Sequence, residues 1–134
     1  IKESMENYNK VKEYLLDLNY AISQEDPESQ IFVIDDESNG IKNLVICCAD
    51  PILIMEQYML DLNNPNTESL VKLLVKNRDI IHGAFALNED GQKLIFRDTL
   101  QLSSLDKNEL AGSINSLSLL ISEFSDELVN ISKN

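Results

Sequence analysis

Basic residues are scarce in this chain, and that scarcity excludes whole classes of partner. Eleven Lys and Arg stand against 23 Asp and Glu in 134 residues, a formal net charge of −12. A surface so acidic repels phosphate, which argues against nucleic acid and anionic membrane as partners. No apolar run approaches the ~20 residues of a membrane-spanning helix, so no membrane insertion is expected. Only four glycines occur, none at the spacing of a phosphate loop, and no cofactor-binding motif is present. The two cysteines, Cys47 and Cys48, are adjacent. Strand neighbours point to opposite faces, so a bond between them would be strained, and two thiolates alone do not complete a zinc site. They read as small strand residues in a reducing cytoplasm. No secretory signal is visible, and a start at Ile1 rather than Met predicts a trimmed chain.

What is present reads as one globular domain spanning 1–134. Apolar residues make up 43% and charged residues 25%, and this length supports a single core. Tyr8, Val11, Leu15 and Leu18 recur at helical spacing and predict a first helix over roughly 3–18. Gln24–Gln30, with Glu25, Asp26, Pro27 and Glu28, reads as a loop. Ile31–Ile34 and Ile41–Ala49 read as strands joined by a turn whose Asn39-Gly40 supplies positive φ. Ile52–Leu60 follows as a third strand, preferred because turn signals bound it on both sides, with helix the alternative since Met, Glu, Gln and Leu are good helix formers. Then come a helix over about 66–78, a strand over Ile80–Leu87, a turn at Asn88–Gly91 and a strand over Lys93–Leu102. In that last strand Asp98 interrupts the face of Leu94, Phe96 and Leu100.

The final helix carries the strongest signals. Asp106 and Glu109 form a capping box, and Leu105 with Leu110 a hydrophobic staple. Leu110, Ile114, Leu117, Ile121, Phe124, Leu128 and Ile131 then make an apolar seam of ~33 Å at 1.5 Å per residue. The expected fold class is α+β, in the order α-β-β-β-α-β-β-α, with an antiparallel sheet packed by helices.

Reactive constellations are sparse. The sole histidine, His82, falls within a predicted strand in Ile80–Phe85, where packing is the expected role. Asp35, Glu37, Asn39 and Gly40 imitate half a calcium loop, but the twelfth position, which needs a bidentate Glu, is Ile46. Asn130-Ile131-Ser132 matches a glycosylation acceptor but lies on the helix seam. No catalytic or metal residues are assigned, and no enzyme activity is expected.

Leu73–Asn77, Gly83–Leu87, Asp90-Gly91, Leu94–Leu102 and Leu105–Leu110 together resemble the class I type III secretion chaperone-like superfamily, which includes the Tir chaperone family and YbjN-type regulators. The resemblance is detailed over residues 70–131, and over 1–65 it lies mainly in element order. His82–Phe85 and Phe96–Leu102 look closer to the YbjN-type branch. The resemblance implies a small, acidic homodimer without catalysis that holds a protein partner on apolar surfaces. Carried onto matching positions, it implies a dimer interface at Leu70, Leu73, Leu74, Ile81 and Phe85. It places partner contact at Val11, Tyr14, Leu15, Ile31, Val33 and Leu44. Ordinary core packing competes for each of these residues.

Three functional classes follow. The leading one is a chaperone-like or regulatory protein-binding module, helped by strand addition to an exposed sheet edge. A second is a small-molecule sensor with a pocket between the sheet and the long C-terminal helix. The third is an enzyme that pairs His82 with a nearby carboxylate.

Overall fold

The computed structural model describes residues 2–133, with side chains from Met5 onward. Helix α1 (Lys2–Asp17) leads into strands β1 (Ala21–Asp26), β2 (Ile31–Asp36), β3 (Ile41–Ala49) and β4 (Ile52–Asp61). Helix α2 (Thr67–Lys76), strands β5 (Ala84–Leu87) and β6 (Lys93–Gln101) and helix α3 (Lys107–Ser132) complete the chain. The strands form one six-stranded sheet in the order β1-β2-β3-β4-β6-β5, with every pairing antiparallel.

The α+β class and antiparallel sheet match the expectation, with one strand added. Residues 21–26, read partly as loop, pair with β2 from Ala21↔Asp35 to Asp26↔Ile31. Nearly every β1 side chain is exposed, so no apolar alternation announces the strand; its ladder with β2 holds it. The loop proper is short, and Asp26 Oδ1 accepts the N–H groups of Glu28 and Ser29 at 3.1 and 3.2 Å.

One face of the sheet carries the core, with Phe32, Leu44, Ile46, Met55 and Phe96 fully buried. All three helices lie toward this face. Tyr8 of α1 stacks on Phe32 at 4.4 Å between ring centroids. Phe124 of α3 meets Phe85 at 5.7 Å. Helix α2 is tied to α3 by Lys72–Glu127 and Lys76–Glu123 ion pairs, each 3.6 Å. Helix α3 starts where the capping box places it: Asp106 Oδ1 accepts the Glu109 N–H at 2.7 Å. Its seam is buried at Leu110, Ile114, Leu117, Leu128 and Ile131 and half-buried at Ile121 and Phe124. The break in the β6 pattern at Asp98 has a partner there, because the Ser113 hydroxyl donates to Asp98 Oδ2 at 2.5 Å.

Two local expectations change. The β2–β3 turn is a 3₁₀ turn over Glu37–Asn39, and Gly40 alone takes positive φ, at 77°. The strand expected over Ile80–Leu87 starts only at Ala84. Gly83 has φ +83°, and a β-carbon there would lie 2.4 Å from the Phe96 ring. The chain crosses the core too closely at this point to run as a regular strand. His82 therefore precedes β5 instead of sitting in it.

Candidate functional site

Helix α2 is held at both ends by asparagines. The Asn66 side chain caps its N-terminus by accepting the Ser69 N–H at 2.7 Å. At the other end Asn77 bonds to edge strand β5: it accepts the Phe85 N–H at 2.7 Å and donates to the Phe85 carbonyl at 3.3 Å. Both outward backbone groups of Phe85 are thus occupied. Strand addition at that point of β5 is blocked, and β1 forms the other edge of the sheet.

This fastening turns apolar side chains outward. Val71, Leu74 and Val75 follow i, i+3, i+4 spacing on α2 and are 51%, 68% and 55% exposed. Ile81, just beyond the helix, is 77% exposed. Behind them lies an apolar groove of about 250 Å³, lined by Leu70, Leu73, Leu74 and Asn77 of the helical segment with Phe85, Ala86, Leu87 and Leu94 of the sheet. Four of the five residues proposed for a dimer interface, Leu70, Leu73, Leu74 and Phe85, line this one groove, and Ile81 stands apart from its lining. Leu73 and Phe85 form the floor, being nearly buried, whereas Leu74 forms the rim. Val71, Val75 and Leu87 belong to the same surface and were missed in the sequence. The signal was available in Leu70-Val71-Lys72-Leu73-Leu74-Val75, which is apolar over more than one helical face.

The expected partner contacts divide. Val11, Leu15 and Leu44 have no exposed surface, so they are core residues and cannot touch a partner without opening the fold. Tyr14, Ile31 and Val33 are half-buried. The last two lie on the sheet face opposite the helices, where no helix among the described residues covers them. Rows across that face read Ile31–Cys47–Ile54–Thr99 and Val33–Val45–Glu56–Arg97–Ala84. A third row runs Tyr58–Ile95–Ala86. Arg97 and Glu56 form an ion pair at its centre. Cys47 lies on this open face half-buried, while Cys48 is buried on the other, where desolvation pushes its thiol up to about 12.

Two other arrangements offer little chemistry. His82 is exposed, and its backbone N–H and carbonyl both bond to the Ser116 hydroxyl, at 3.2 and 2.9 Å. Asp98 accepts from the Ser113 hydroxyl. A groove of about 490 Å³ lies between the Glu37–Asn39 turn and α3, with Tyr20, Asp36 and Ser118 in its lining. Asn39, Asn115 and Ser122, also in the lining, are exposed, which makes it a surface groove and not an enclosed pocket. Among the described residues no group of His, Cys, Asp and Glu is arranged to hold a metal ion. No described helix is long and apolar enough to cross a membrane.

The CesT_Tir_1 family model matches residues 4–134. Among solved structures, the chain is similar to the Yersinia pestis type III secretion chaperone SycH, solved with a fragment of YscM2. The identity is 16% and the TM-score 0.62, covering 94% of this chain and 99% of that one. The HopA1–SchA chaperone–effector complex contains a similar chain at 8% identity and TM-score 0.66, covering 100% and 98%. YbjN from E. coli, described as a putative transcription regulator, is similar at 14% identity and TM-score 0.58, covering 90% and 92%. No curated protein matches the sequence. At these identities the structural likenesses establish a shared fold.

Proposed function

We propose a function for a chain that belongs to the CesT_Tir_1 family: it is a non-enzymatic, cytoplasmic, chaperone-like module that pairs with a second copy and holds a protein partner on apolar surface. The observation that carries this reading is the apolar surface of α2 and β5. Helix α2 is capped, fastened to β5 by Asn77 and ion-paired to α3, yet presents Val71, Leu74 and Val75 to solvent. Contiguous exposed apolar surface of this kind marks interaction sites in soluble proteins. Burying a Leu or Ile side chain as exposed as Leu74 or Ile81 contributes about 1.5–3 kcal/mol, and a symmetric interface gains it once from each copy.

The family match and the chaperone neighbours solved with protein partners support the partner-holding half of the reading. The positions that serve it are Tyr14, Ile31 and Val33. A sensor reading has less support, because the groove beneath α3 is open and none of its lining side chains is an unpartnered buried polar group.

Co-purification of two differently tagged copies from the native host, with mass spectrometry of the eluate, tests the proposal. The expected result is that the untargeted copy is recovered, together with a further polypeptide in comparable amount, and that Leu74→Asp abolishes recovery of the second copy. Recovery of the targeted chain alone would overturn the proposal.

A further inference from the structure

Asn39-Gly40 is the only asparagine–glycine step in the chain. The amide carbon of an asparagine, Cγ, lies within ring-closing reach of the next residue's backbone nitrogen. A side chain on that next residue crowds the approach, and glycine has none. The pair also sits where the chain meets water. The 3₁₀ turn Glu37–Asn39 contains no buried residue, and Asn39 is exposed.

While the turn is closed, both reacting groups are engaged elsewhere. The Gly40 N–H donates to the Glu37 carbonyl at 3.0 Å. Asn39 Nδ2 donates to Asp36 Oδ2 at 2.8 Å. From α3, the Ser118 hydroxyl donates to the Asn39 carbonyl at 2.7 Å. A short surface turn opens far more readily than the sheet it joins, so reaction at this pair follows the open fraction. The Ser118 bond lowers that fraction, because it ties the turn to a helix distant in sequence.

We propose that Asn39 is a self-modification site, converting to aspartate and isoaspartate through a succinimide with Gly40, and that the Ser118 bond to α3 sets its rate. In the open turn the Gly40 nitrogen bonds to Asn39 Cγ. The Cγ–Nδ2 bond breaks, and the amide nitrogen leaves as ammonia with the proton from Gly40. Water then adds to the ring. Breaking the new Cγ–N bond gives aspartate. Breaking the bond between the Asn39 carbonyl carbon and the Gly40 nitrogen gives isoaspartate, whose main chain runs through Cγ. Water is the one co-reactant.

Both products disturb the joint between turn and helix. Each puts a carboxylate where an amide donated to Asp36, and adds one negative charge to a chain already at −12. Isoaspartate also lengthens the backbone by one atom beside Gly40. There is no room there: a β-carbon on Gly40 would lie 2.8 Å from Ile121 Cγ2 of α3. The groove of about 490 Å³ between turn and α3, which Asp36, Asn39 and Ser118 help to line, therefore changes in both charge and shape.

The test holds the full chain in mildly alkaline buffer, measures ammonia release and sequences the tryptic peptide Glu13–Lys42 by mass-spectrometric fragmentation. Asn19 in the same peptide precedes Tyr20 and serves as the internal control. The expected result is aspartate and isoaspartate at Asn39, with Asn19 unchanged. A free peptide of residues 36–42, which has no turn to open, reacts about tenfold faster or more than the folded chain. Ser118→Ala raises the folded rate about fivefold, the effect of one net hydrogen bond on the open fraction. Ser118→Thr keeps the hydroxyl and stays near the native rate.

An Asn39 that is intact in the folded chain and in Ser118→Ala, once the free peptide has converted, would overturn the site. Equal rates in the native chain and Ser118→Ala would overturn the role of the α3 bond. So would conversion of Asn19 alongside Asn39 in that variant, which would mark global unfolding. The partner-holding reading is decided separately, by the two-tag co-purification.

Discussion

Gly83 holds the tightest approach among the four glycines. Its φ of +83° disfavours any L side chain, and a β-carbon would meet Phe96 Cζ at 2.4 Å and the Arg97 carbonyl oxygen at 3.0 Å. Gly83→Ala therefore combines backbone strain with overpacking of the core and is expected to cost about 2–4 kcal/mol, read as a lower urea midpoint. Two buried protons make the fold sensitive to alkaline pH. Burial, reinforced by the Glu25 carboxylate that accepts its hydroxyl, pushes Tyr8 up to about 12; burial also lifts Cys48 to about 12. Each ionises first in the unfolded chain, which then binds fewer protons than the folded one, so stability falls as pH rises. It is complete below pH 9.0, the ordinary cysteine value, and is lost progressively toward about 12. Urea unfolding across this window is expected to show a falling midpoint, with the lower part of the fall removed in Cys48→Ala. An equal fall in that variant would refute the assignment.

At the scale of elements, α3 depends on its start. Asp106→Ala leaves the Glu109 N–H without its side-chain acceptor and is expected to cost about 1 kcal/mol in chemical denaturation. This helix was the most legible part of the sequence because cap, staple and seam agree on one register. Strand β1 was illegible for the opposite reason: Ser23-Gln24-Glu25-Asp26 is polar on both faces, and only its ladder to β2 makes it a strand. The shortened β5 follows from a contact between Gly83 and Phe96 that no local pattern encodes. The candidate site was legible in part. Periodicity marks Leu70, Leu73 and Leu74 and equally marks Val11, Leu15 and Leu44, because an apolar stripe looks the same whether it faces a core or a partner. Only the packed chain separates Leu74, 68% exposed, from Leu15, with no exposure.

For the whole molecule, charge and apolar surface oppose each other. Two copies that each carry −12 repel, while the α2–β5 surface is apolar and its nearby Lys72 and Lys76 are already paired with glutamates of α3. Screening weakens the repulsion and leaves apolar burial intact, so self-association is expected to tighten as salt rises from about 0.05 to 0.5 M. Weakening over that range would point to an interface held by ion pairs instead. The most direct measurement of the central claim is the mass in solution, by light scattering on eluting protein at tens of micromolar. The account predicts twice the 15.2 kDa chain mass for the native sequence and 15.2 kDa for Leu74→Asp with its circular dichroism unchanged. A native chain that elutes at 15.2 kDa at every concentration and salt would contradict it.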